Sequence, residues 1–298
     1  YCLTMDIIKG LYIGLVICIN DSIMHVQKNM KLFKPEIVLL VPLVIESIYG
    51  KLRDAGNLMP KKMVAKAAFG GNLKTICSGG AYLDPDYVER FKEYGITILQ
   101  GYGMTECSPV ISTNLEWDHK TGSVGKLLPN CEAKIVDEEI WVRGTSVMQG
   151  YYKMQEETDQ ALEDGWLKTG DLGYVDEDNF LYITGRRKNL IILSNGENVS
   201  PKFLEDVFGN CPQISSAAVV GVPDEKHGYV GAAFIQLHED TKENREKVEN
   251  YSKEHLAKFQ VPKYFFYLKN GDWPRTSTGK VQKFRLKEMA GKLTETIK

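Results

Sequence analysis

The sequence lacks an excess of charge of either sign and a hydrophobic run long enough to span a membrane. Its 298 residues carry 37 basic and 39 acidic side chains, for a formal net charge of -2. Without an overall basic field the chain attracts phosphate backbones weakly, so nucleic acid is not an expected partner. The apolar stretch from Ile7 to Ile19 contains Lys9 and Gly10 and falls short of the roughly 20 residues that cross a bilayer. We expect a buried helix followed by a strand there.

Cysteine pairs and metal-ligand clusters are also missing. The six cysteines are scattered, with no CxxC pair and no Cys/His group at metal-ligand spacing. They are therefore predicted to be free thiols in a reducing cytoplasm. The sequence opens on Tyr1 with no charged leader before its first apolar run, so neither a natural start nor a signal peptide is visible. We expect that a preceding segment has been removed.

Apolar runs alternate with helical patterns in the first part of the chain. The runs LYIGLVICI and EIVLLVPLVIESI flank a polar helical stretch from about Met24 to Leu32. Next come a TICSGG strand and turn, a helix from about Pro85 to Tyr94, and the strand ITILQGYG. Runs this apolar, alternating with helices, predict an α/β fold with a mainly parallel sheet covered on both faces.

The pattern changes twice further along the chain. Short strands and Gly-rich turns from about Thr121 to Gly185 predict a small antiparallel barrel or sheet. The segment from Asn198 to Lys298 alternates helices and strands and predicts a separate α+β domain. The charged link Gly185-Arg186-Arg187-Lys188-Asn189 is the predicted boundary between the two parts.

The segment QGYGMTE, from Gln100 to Glu106, is the first candidate site. It follows a strand directly, and its glycines let backbone amides approach a ligand. The hydroxyl of Thr105 beside the carboxylate of Glu106 suits a phosphate with its magnesium ion. Taken alone, such a strand end is more often only a tight turn. Tyr102 can stack on a base or simply fill the core.

Three later segments add single candidates. In GWLKTGDLG, Asp171 is predicted to lie in a turn, where it can accept two hydrogen bonds from a ribose diol or merely order its own turn. TGRRKNLIILSNGENVSP places three cations at the domain junction, where cations are usually solvated. PRTSTGKVQKFR places Lys280 in a Gly-containing loop, and an isolated Lys near a terminus is usually a solvated tail residue.

The order and spacing of these segments resemble the adenylate-forming superfamily, which includes acyl-CoA synthetases, peptide-synthetase adenylation domains and firefly luciferase. SGGAYL, GYGMTE, TGD, GRRKN and PRTSTGK are similar to five separate signatures of that superfamily, and the match covers essentially the whole chain. The resemblance implies the second half of a large AMP-binding domain, at 1–185, a hinge at 186–189, and a C-terminal lid domain at 190–298.

The resemblance implies an acid-CoA ligase that uses ATP, Mg2+ and coenzyme A. Family members form an acyl-adenylate from a carboxylic acid and then transfer the acyl group to a thiol. Lys280, Thr105 and Glu106 would be the catalytic residues, with Glu106 on magnesium. The residues that would bind the nucleotide are Gly80, Ala81, Tyr82, Gly101, Tyr102, Gly103, Met104, Thr105, Asp171 and Arg186. Lys188 matches the hinge of the mobile lid, while Ser194 and Gly196 would line the coenzyme A channel.

One family feature is absent. The Ser/Thr/Gly-rich loop ending in Pro-Lys-Gly, which cradles the β- and γ-phosphates, does not occur in this sequence. Its place would lie upstream of Tyr1, and we therefore expect the 298-residue chain alone to be inactive or severely impaired in adenylation.

Three functions remain open at this point. GKLLPNCEAKI and VMQGYYKMQEET resemble bacterial long-chain fatty acid CoA ligases, so a long-chain acid and coenzyme A are the first expectation. The second is an adenylation enzyme that loads a carrier protein, and the third is a non-catalytic nucleotide-binding remnant. The expected location is the cytoplasm, with peripheral association at a membrane surface left open.

Overall fold

The computed structural model describes residues 3–55, 59–193, 197–224, 228–276 and 281–297. The chain divides into two compact units. The first unit is Tyr1–Thr169 with Gly173–Ile183, and the second is Gly170–Leu172 with Thr184–Lys298. Each unit has its own apolar cores.

The first unit begins with a mixed sheet flanked by helices. Its strands are β1 (Ile37–Leu40), β2 (Thr75–Ser78), β3 (Thr97–Gly103), β4 (Val110–Thr113) and β5 (Lys126–Leu127), in that spatial order. β1, β2 and β3 pair in parallel, whereas β4 and β5 add antiparallel. The change of direction follows from the connections, since helices link the parallel strands and only the short segment 104–109 separates β3 from β4.

Among the described residues before β3 there are five α-helices. They are α1 (Lys9–Tyr12), α2 (Val26–Phe33), α3 (Pro42–Ala55), α4 (Lys61–Phe69) and α5 (Pro85–Glu93). The start of α5 is fixed by Asp84, whose carboxylate accepts a hydrogen bond from the backbone N–H of Asp86 at 2.9 Å, and by Pro85 in the first turn. The buried side of α5 consists of Val88 and Phe91, which pack in one core with Ile76 of β2.

A second sheet follows within the chain. Its elements are β6 (Cys131–Val136), β7 (Glu139–Gly144), the helix α6 (Gln155–Ala161), β8 (Leu162–Glu163), β9 (Trp166–Val175) and β10 (Leu181–Arg186). The spatial order is β10, β9, β7, β6, with β8 paired to β9. Ile140, Val142 and Leu167 form a core with Cys107 and Ile111, which follow β3 in the chain. This core therefore anchors the segment that carries the GYGMTE motif.

The second unit contains a three-stranded sheet covered on both faces. The strands of this unit are β11 (Ile191–Ile192), β12 (Asn198–Val199), β13 (Ile214–Asp224), β14 (Gly228–Leu237) and β15 (Tyr264–Tyr267). Its helices are α7 (Pro201–Gly209), α8 (Lys242–His255) and α9 (Lys283–Ile297). β13, β14 and β15 form the sheet. Val219 packs in one core and its neighbours Ala218 and Val220 in the other, as the two-residue period of a strand requires.

The stretch from Ile7 to Ile19 differs from the sequence expectation of a buried helix followed by a strand. A π-helix over Leu3–Ile8 leads into α1, and no strand forms over 15–19. Tyr12 and Val16 are 89% and 93% exposed. Apolar side chains become buried only where another element packs against them. No described element covers Tyr12 or Val16, so these side chains stay exposed.

Two further expectations concern membranes and cysteines. Across the described ranges, no helix combines the length and hydropathy needed to span a bilayer. The cysteines that the structure describes are free thiols, as the sequence predicts. Cys107, Cys131 and Cys211 are buried, whereas Cys18 is exposed.

Candidate functional site

The carboxyl ends of β2 and β3 bring two of the predicted segments to one edge of the sheet. The two strands run parallel and in register, with Ser78 opposite Gln100. The segment Gly80–Tyr82 leaves the end of β2, and residues 101–106 leave the end of β3. Ligands of open α/β sheets bind outside the carboxyl ends of adjacent strands, which makes this edge the candidate site.

Glycines permit close backbone approach at two points here. Gly80 has φ +82° and lies in open space, so its backbone conformation is what favours glycine. At Gly103 the limit is space, because an added Cβ would lie 1.9 Å from the carbonyl oxygen of Pro109. Tyr82 is 49% exposed, whereas Tyr102 is half-buried against the core of the second sheet.

A buried hydroxyl at this edge was missed by the sequence reasoning. Ser78 ends β2 and is 2% exposed, and its Oγ has no hydrogen-bond partner among the described residues. Leaving a buried hydroxyl unpaired costs free energy, so this group at the strand end is a candidate to bind a ligand. Its only sequence signal is its place directly before the two glycines of SGGAYL.

Thr105 and Glu106 lie in a 3-10 turn over Thr105–Cys107 that follows β3. Thr105 is exposed and Glu106 half-buried. The turn is tied down because the backbone N–H of Cys107 donates to the carbonyl of Met104 at 2.9 Å. A free hydroxyl and a carboxylate therefore stand side by side in a fixed backbone conformation.

Glu106 is held from a second segment that the sequence reasoning did not connect with it. The phenol of Tyr151 donates to Oε1 of Glu106 at 2.9 Å, and the backbone N–H of Met148 donates to the carbonyl of Glu106 at 2.7 Å. Burial, followed by the hydrogen bond to Glu106, raises the pKa of Tyr151, so the phenol remains a donor near neutral pH. Tyr151 lies 45 positions further along the chain, and no local spacing connects the two.

Cys107 adjoins this carboxylate, and its environment excludes a nucleophilic role. The residue is fully buried. Burial, with smaller contributions from Cys131 and Glu106, raises the pKa of its thiol to about 12. Because the thiolate is the nucleophile, Cys107 is a packing residue at physiological pH.

Asp171 and Arg186 are brought together in the second unit. Nε of Arg186 donates to Oδ1 of Asp171 at 2.6 Å, and a second guanidinium nitrogen reaches Oδ2 at 3.5 Å. Asp171 is 3% exposed, whereas the side chain of Arg186 is 47% exposed, so the ion pair joins a buried carboxylate to a solvent-accessible guanidinium. It lies within β9, not in the predicted turn, because Gly170 with φ +69° interrupts the strand without ending it. The pair suits recognition of a hydroxyl pair, since the carboxylate is fixed in one orientation.

The remaining predicted residues fall into two groups. Lys188 is exposed in a 3-10 turn, Arg187–Asn189, at the start of the second unit. Lys280, Ser194 and Gly196 lie outside the described residues. Ala81 and Met104 lie at the strand ends already described, beside Gly80 and Thr105.

The chemistry of this edge fits a nucleotide with magnesium. Among the described residues, no group of three or more His, Cys, Asp or Glu side chains could enclose a metal ion. Magnesium needs no such enclosure, because it is usually bound by one or two carboxylates together with phosphates and water. Glu106, with the hydroxyl of Thr105 beside it, matches that requirement, and the unpaired Oγ of Ser78 leaves a hydrogen-bonding position for a ligand.

The fold is that of an α/β protein with a small C-terminal α+β domain, and the chemistry of the candidate site suits a nucleotide. Residues 1–152 match the family model described as AMP-binding enzyme, and residues 204–280 match that of the AMP-binding enzyme C-terminal domain. The chain therefore belongs to the AMP-binding enzyme family.

Similar proteins are found among curated sequences. The long-chain-fatty-acid–CoA ligase of Bacillus subtilis is 36% identical over 231 residues, which cover 73% of this chain and 41% of that protein. The 2-succinylbenzoate–CoA ligase of the same species is 37% identical over 229 residues, covering 73% and 46%. The chain thus spans about half the length of the curated relatives it matches.

Solved structures agree with this assignment. The o-succinylbenzoate CoA synthetase of Bacillus subtilis, in complex with its acyl-adenylate intermediate, matches with a TM-score of 0.76 and 31% identity over 94% of this chain and 57% of that one. The same enzyme in complex with ATP and magnesium matches with a TM-score of 0.75, at the same identity and coverage. The adenylate-forming fold predicted from the sequence is therefore confirmed.

Proposed function

We propose that this chain is part of an AMP-forming acid–CoA ligase. The main observation behind the proposal is that Gly80–Tyr82 and the GYGMTE segment lie at the adjacent carboxyl ends of β2 and β3. The carboxylate of Glu106 in that segment is held by a hydrogen bond from Tyr151. The relatives named above are supporting evidence, because each is a CoA ligase by name. ATP, Mg2+, coenzyme A and a carboxylic acid are the proposed substrates and cofactor.

The first half-reaction consumes ATP. An oxygen of the substrate carboxylate attacks the α-phosphorus, and the bond to pyrophosphate breaks, leaving an acyl-adenylate. Magnesium would neutralise charge on the phosphates beside Glu106 and Thr105. Asp171, oriented by Arg186, would accept hydrogen bonds from the ribose hydroxyls. The ammonium of Lys280 would stabilise the negative charge that develops on the phosphate oxygens.

The second half-reaction forms the thioester. The sulfur of coenzyme A attacks the acyl carbon, the bond from that carbon to the phosphate oxygen of AMP breaks, and the thiol proton passes to solvent. In this proposal Lys188 is the hinge of a lid movement between the half-reactions, and Ser194 and Gly196 border the pantetheine channel. The domain limits 1–185, 186–189 and 190–298 stay a prediction, as do the roles of these residues.

The acid itself has two candidates. Similarity to the 2-succinylbenzoate–CoA ligases supports an aromatic acid as the substrate, which we place first. Similarity to the long-chain-fatty-acid–CoA ligase supports the long-chain acid that the sequence motifs suggested. The ratio of kcat/KM for 2-succinylbenzoate and a long-chain fatty acid would discriminate them. Offering coenzyme A and a holo-carrier protein side by side would distinguish a CoA ligase from a carrier-loading enzyme.

The decisive experiment compares adenylation by the protein expressed from its complete gene with that by a Lys280→Ala variant. Exchange of labelled pyrophosphate into ATP is measured with a panel of acids. We expect Lys280→Ala to lower the exchange rate by about 100-fold or more, because it removes a charge aimed at the transition state. Thioester formation from supplied acyl-adenylate should be much less affected.

The matched control is Lys287→Ala, which removes an exposed ammonium from α9. It should leave exchange unchanged. If the complete protein exchanges no pyrophosphate with any acid, the ligase proposal fails and a non-catalytic nucleotide-binding role takes its place. If Lys280→Ala exchanges at the rate of the control variant, the role assigned to Lys280 is wrong.

A further inference from the structure

The side chain and the backbone of Glu106 are both bound by one short segment, residues 148–151. Tyr151 donates its phenol hydrogen to Oε1 at 2.9 Å, while the backbone N–H of Met148 donates to the Glu106 carbonyl at 2.7 Å. Two independent hydrogen bonds thus fix the position of the residue and the rotation of its carboxylate. From this geometry we infer that Tyr151 is a positioning residue for the magnesium-binding carboxylate of Glu106, an inference that rests on the proposed function.

Tyr151 is itself held by α6. Its backbone N–H donates to Oγ1 of Thr158 at 2.9 Å, and that hydroxyl donates to the carbonyl of Met154 at 2.7 Å. Thr158 is only 9% exposed, so these bonds are protected from water. Thr158 of α6 therefore holds the backbone of Tyr151, and the phenol of Tyr151 in turn holds the carboxylate of Glu106.

The phenol acts on the carboxylate in a defined way. A hydrogen bond to Oε1 occupies one oxygen and leaves Oε2 as the more available ligand, which favours binding of the metal through a single oxygen. The donor is neutral, so it adds no positive charge that would repel the metal. Hydrogen-bonded partners of metal-binding carboxylates typically contribute about 10- to 100-fold in metal affinity.

Tyr152 provides a matched comparison within the chain. It has the same side chain one position later, yet it is 85% exposed and contacts Lys153, whose ammonium lies 5.2 Å from its ring. Its phenol makes no hydrogen bond to Glu106. Removing the hydroxyl from each tyrosine in turn therefore separates the positioning effect from a general loss of a phenol.

The test uses protein expressed from the complete gene and its Tyr151→Phe and Tyr152→Phe variants. Binding of a fluorescent ATP analogue is followed as Mg2+ is titrated, and again in EDTA. We expect Tyr151→Phe to raise the Mg2+ concentration for half-maximal binding about 10-fold or more. Binding in EDTA and the thermal unfolding midpoint should stay at wild-type values. Tyr152→Phe should behave as wild type throughout.

A Glu106→Gln variant distinguishes failure of this inference from failure of the proposed function. If Glu106→Gln raises the Mg2+ requirement and Tyr151→Phe does not, Glu106 binds magnesium without help from Tyr151 and the inference is overturned. If neither variant changes it, Glu106 is not the magnesium ligand. If the wild-type protein shows no Mg2+-dependent nucleotide binding at all, both the inference and the proposed function fail.

Discussion

At the scale of single residues, the turn from β3 into β4 depends on the absence of a side chain at Gly103. A Cβ there would lie 1.9 Å from the carbonyl oxygen of Pro109 and 2.8 Å from Cα of Val110. Both are main-chain atoms, so relief requires β4 to move. We expect Gly103→Ala to lower the free energy of unfolding by about 1–3 kcal/mol, measured by urea unfolding.

The comparison for this substitution is Gly50→Ala. Gly50 lies within α3, and a Cβ there would meet nothing within 4 Å. Alanine is a better helix former than glycine, so the variant should be neutral or more stable by up to about 1 kcal/mol. Equal stability of Gly103→Ala and wild type would show that the strand pair accommodates a methyl group, contrary to the close approach described.

Single residues of the site were predictable where a short motif carries them. SGGAYL and GYGMTE are continuous in sequence, and their glycines and the Thr105–Glu106 pair could be recognised without a structure. Tyr151 could not, because its relation to Glu106 depends on how the segment before α6 folds back onto the turn after β3. Ser78 was missed because its burial depends on packing around β2.

At the scale of elements, the strands and helices that packing requires were predicted well. The expected helix from about Pro85 to Tyr94 is α5, and the strand ITILQGYG is β3. The predictions are wrong where the local sequence pattern indicates one structure and the packing produces another. The apolar run from Ile7 to Ile19 had the composition of a core but is mostly exposed. The TGD segment had the glycine of a turn but continues as strand β9.

A half-buried carboxylate joins three elements of the second unit. Oε1 of Glu205 in α7 accepts from the backbone N–H of Val219 in β13 at 2.7 Å and from Nζ of Lys283 in α9 at 2.6 Å. Burial raises the pKa of Glu205, and the nearby ammonium only partly opposes this. The folded state therefore binds this proton more tightly than the unfolded chain does.

The raised pKa of Glu205 makes the stability of the fold depend on pH. Above the ordinary Glu pKa of about 4.3, and up to the raised folded value, unfolding releases a proton, so the free energy of unfolding falls as the pH rises. Glu205→Gln lacks this titration but can still accept from Val219. We expect the stability of wild type relative to Glu205→Gln to be greatest near pH 4 and to decline toward neutrality, in urea unfolding at a series of pH values.

An exposed residue controls for the loss of a charge alone. Glu246→Gln, on the solvent side of α8, should show no comparable decline. If the stability of wild type relative to Glu205→Gln instead increases with pH, attraction to Lys283 outweighs burial and the direction given for Glu205 is wrong.

At the scale of the whole molecule, the sequence predicted an α/β part followed by a small α+β part, and the fold is of that kind. It did not predict that the first sheet would be half parallel and half antiparallel, because strand direction depends on the connection after β3. The sequence also did not predict that Gly170–Leu172 belong to a different compact unit from the rest of β9. Those three residues group with the second unit although β9 is continuous in sequence.

The second unit has what an independently folding domain needs, which leads to a prediction for residues 184–298. Its central sheet is covered on both faces by apolar cores, so the strands leave no open apolar side. We expect this segment, expressed alone, to unfold cooperatively when followed by circular dichroism during heating. Phe234, fully buried against Phe266, tests the source of that stability, since Phe234→Ala should cost about 3–5 kcal/mol.

Phe284→Ala is the matched truncation for this experiment. It removes the same side chain from a position that is 58% exposed, so its effect should remain within about 0.5 kcal/mol of wild type. A segment that unfolds without a cooperative transition would mean that the two cores of this unit do not suffice for folding. A cooperative segment in which both alanine variants are equally stable would place its stability elsewhere than in the core around Phe234.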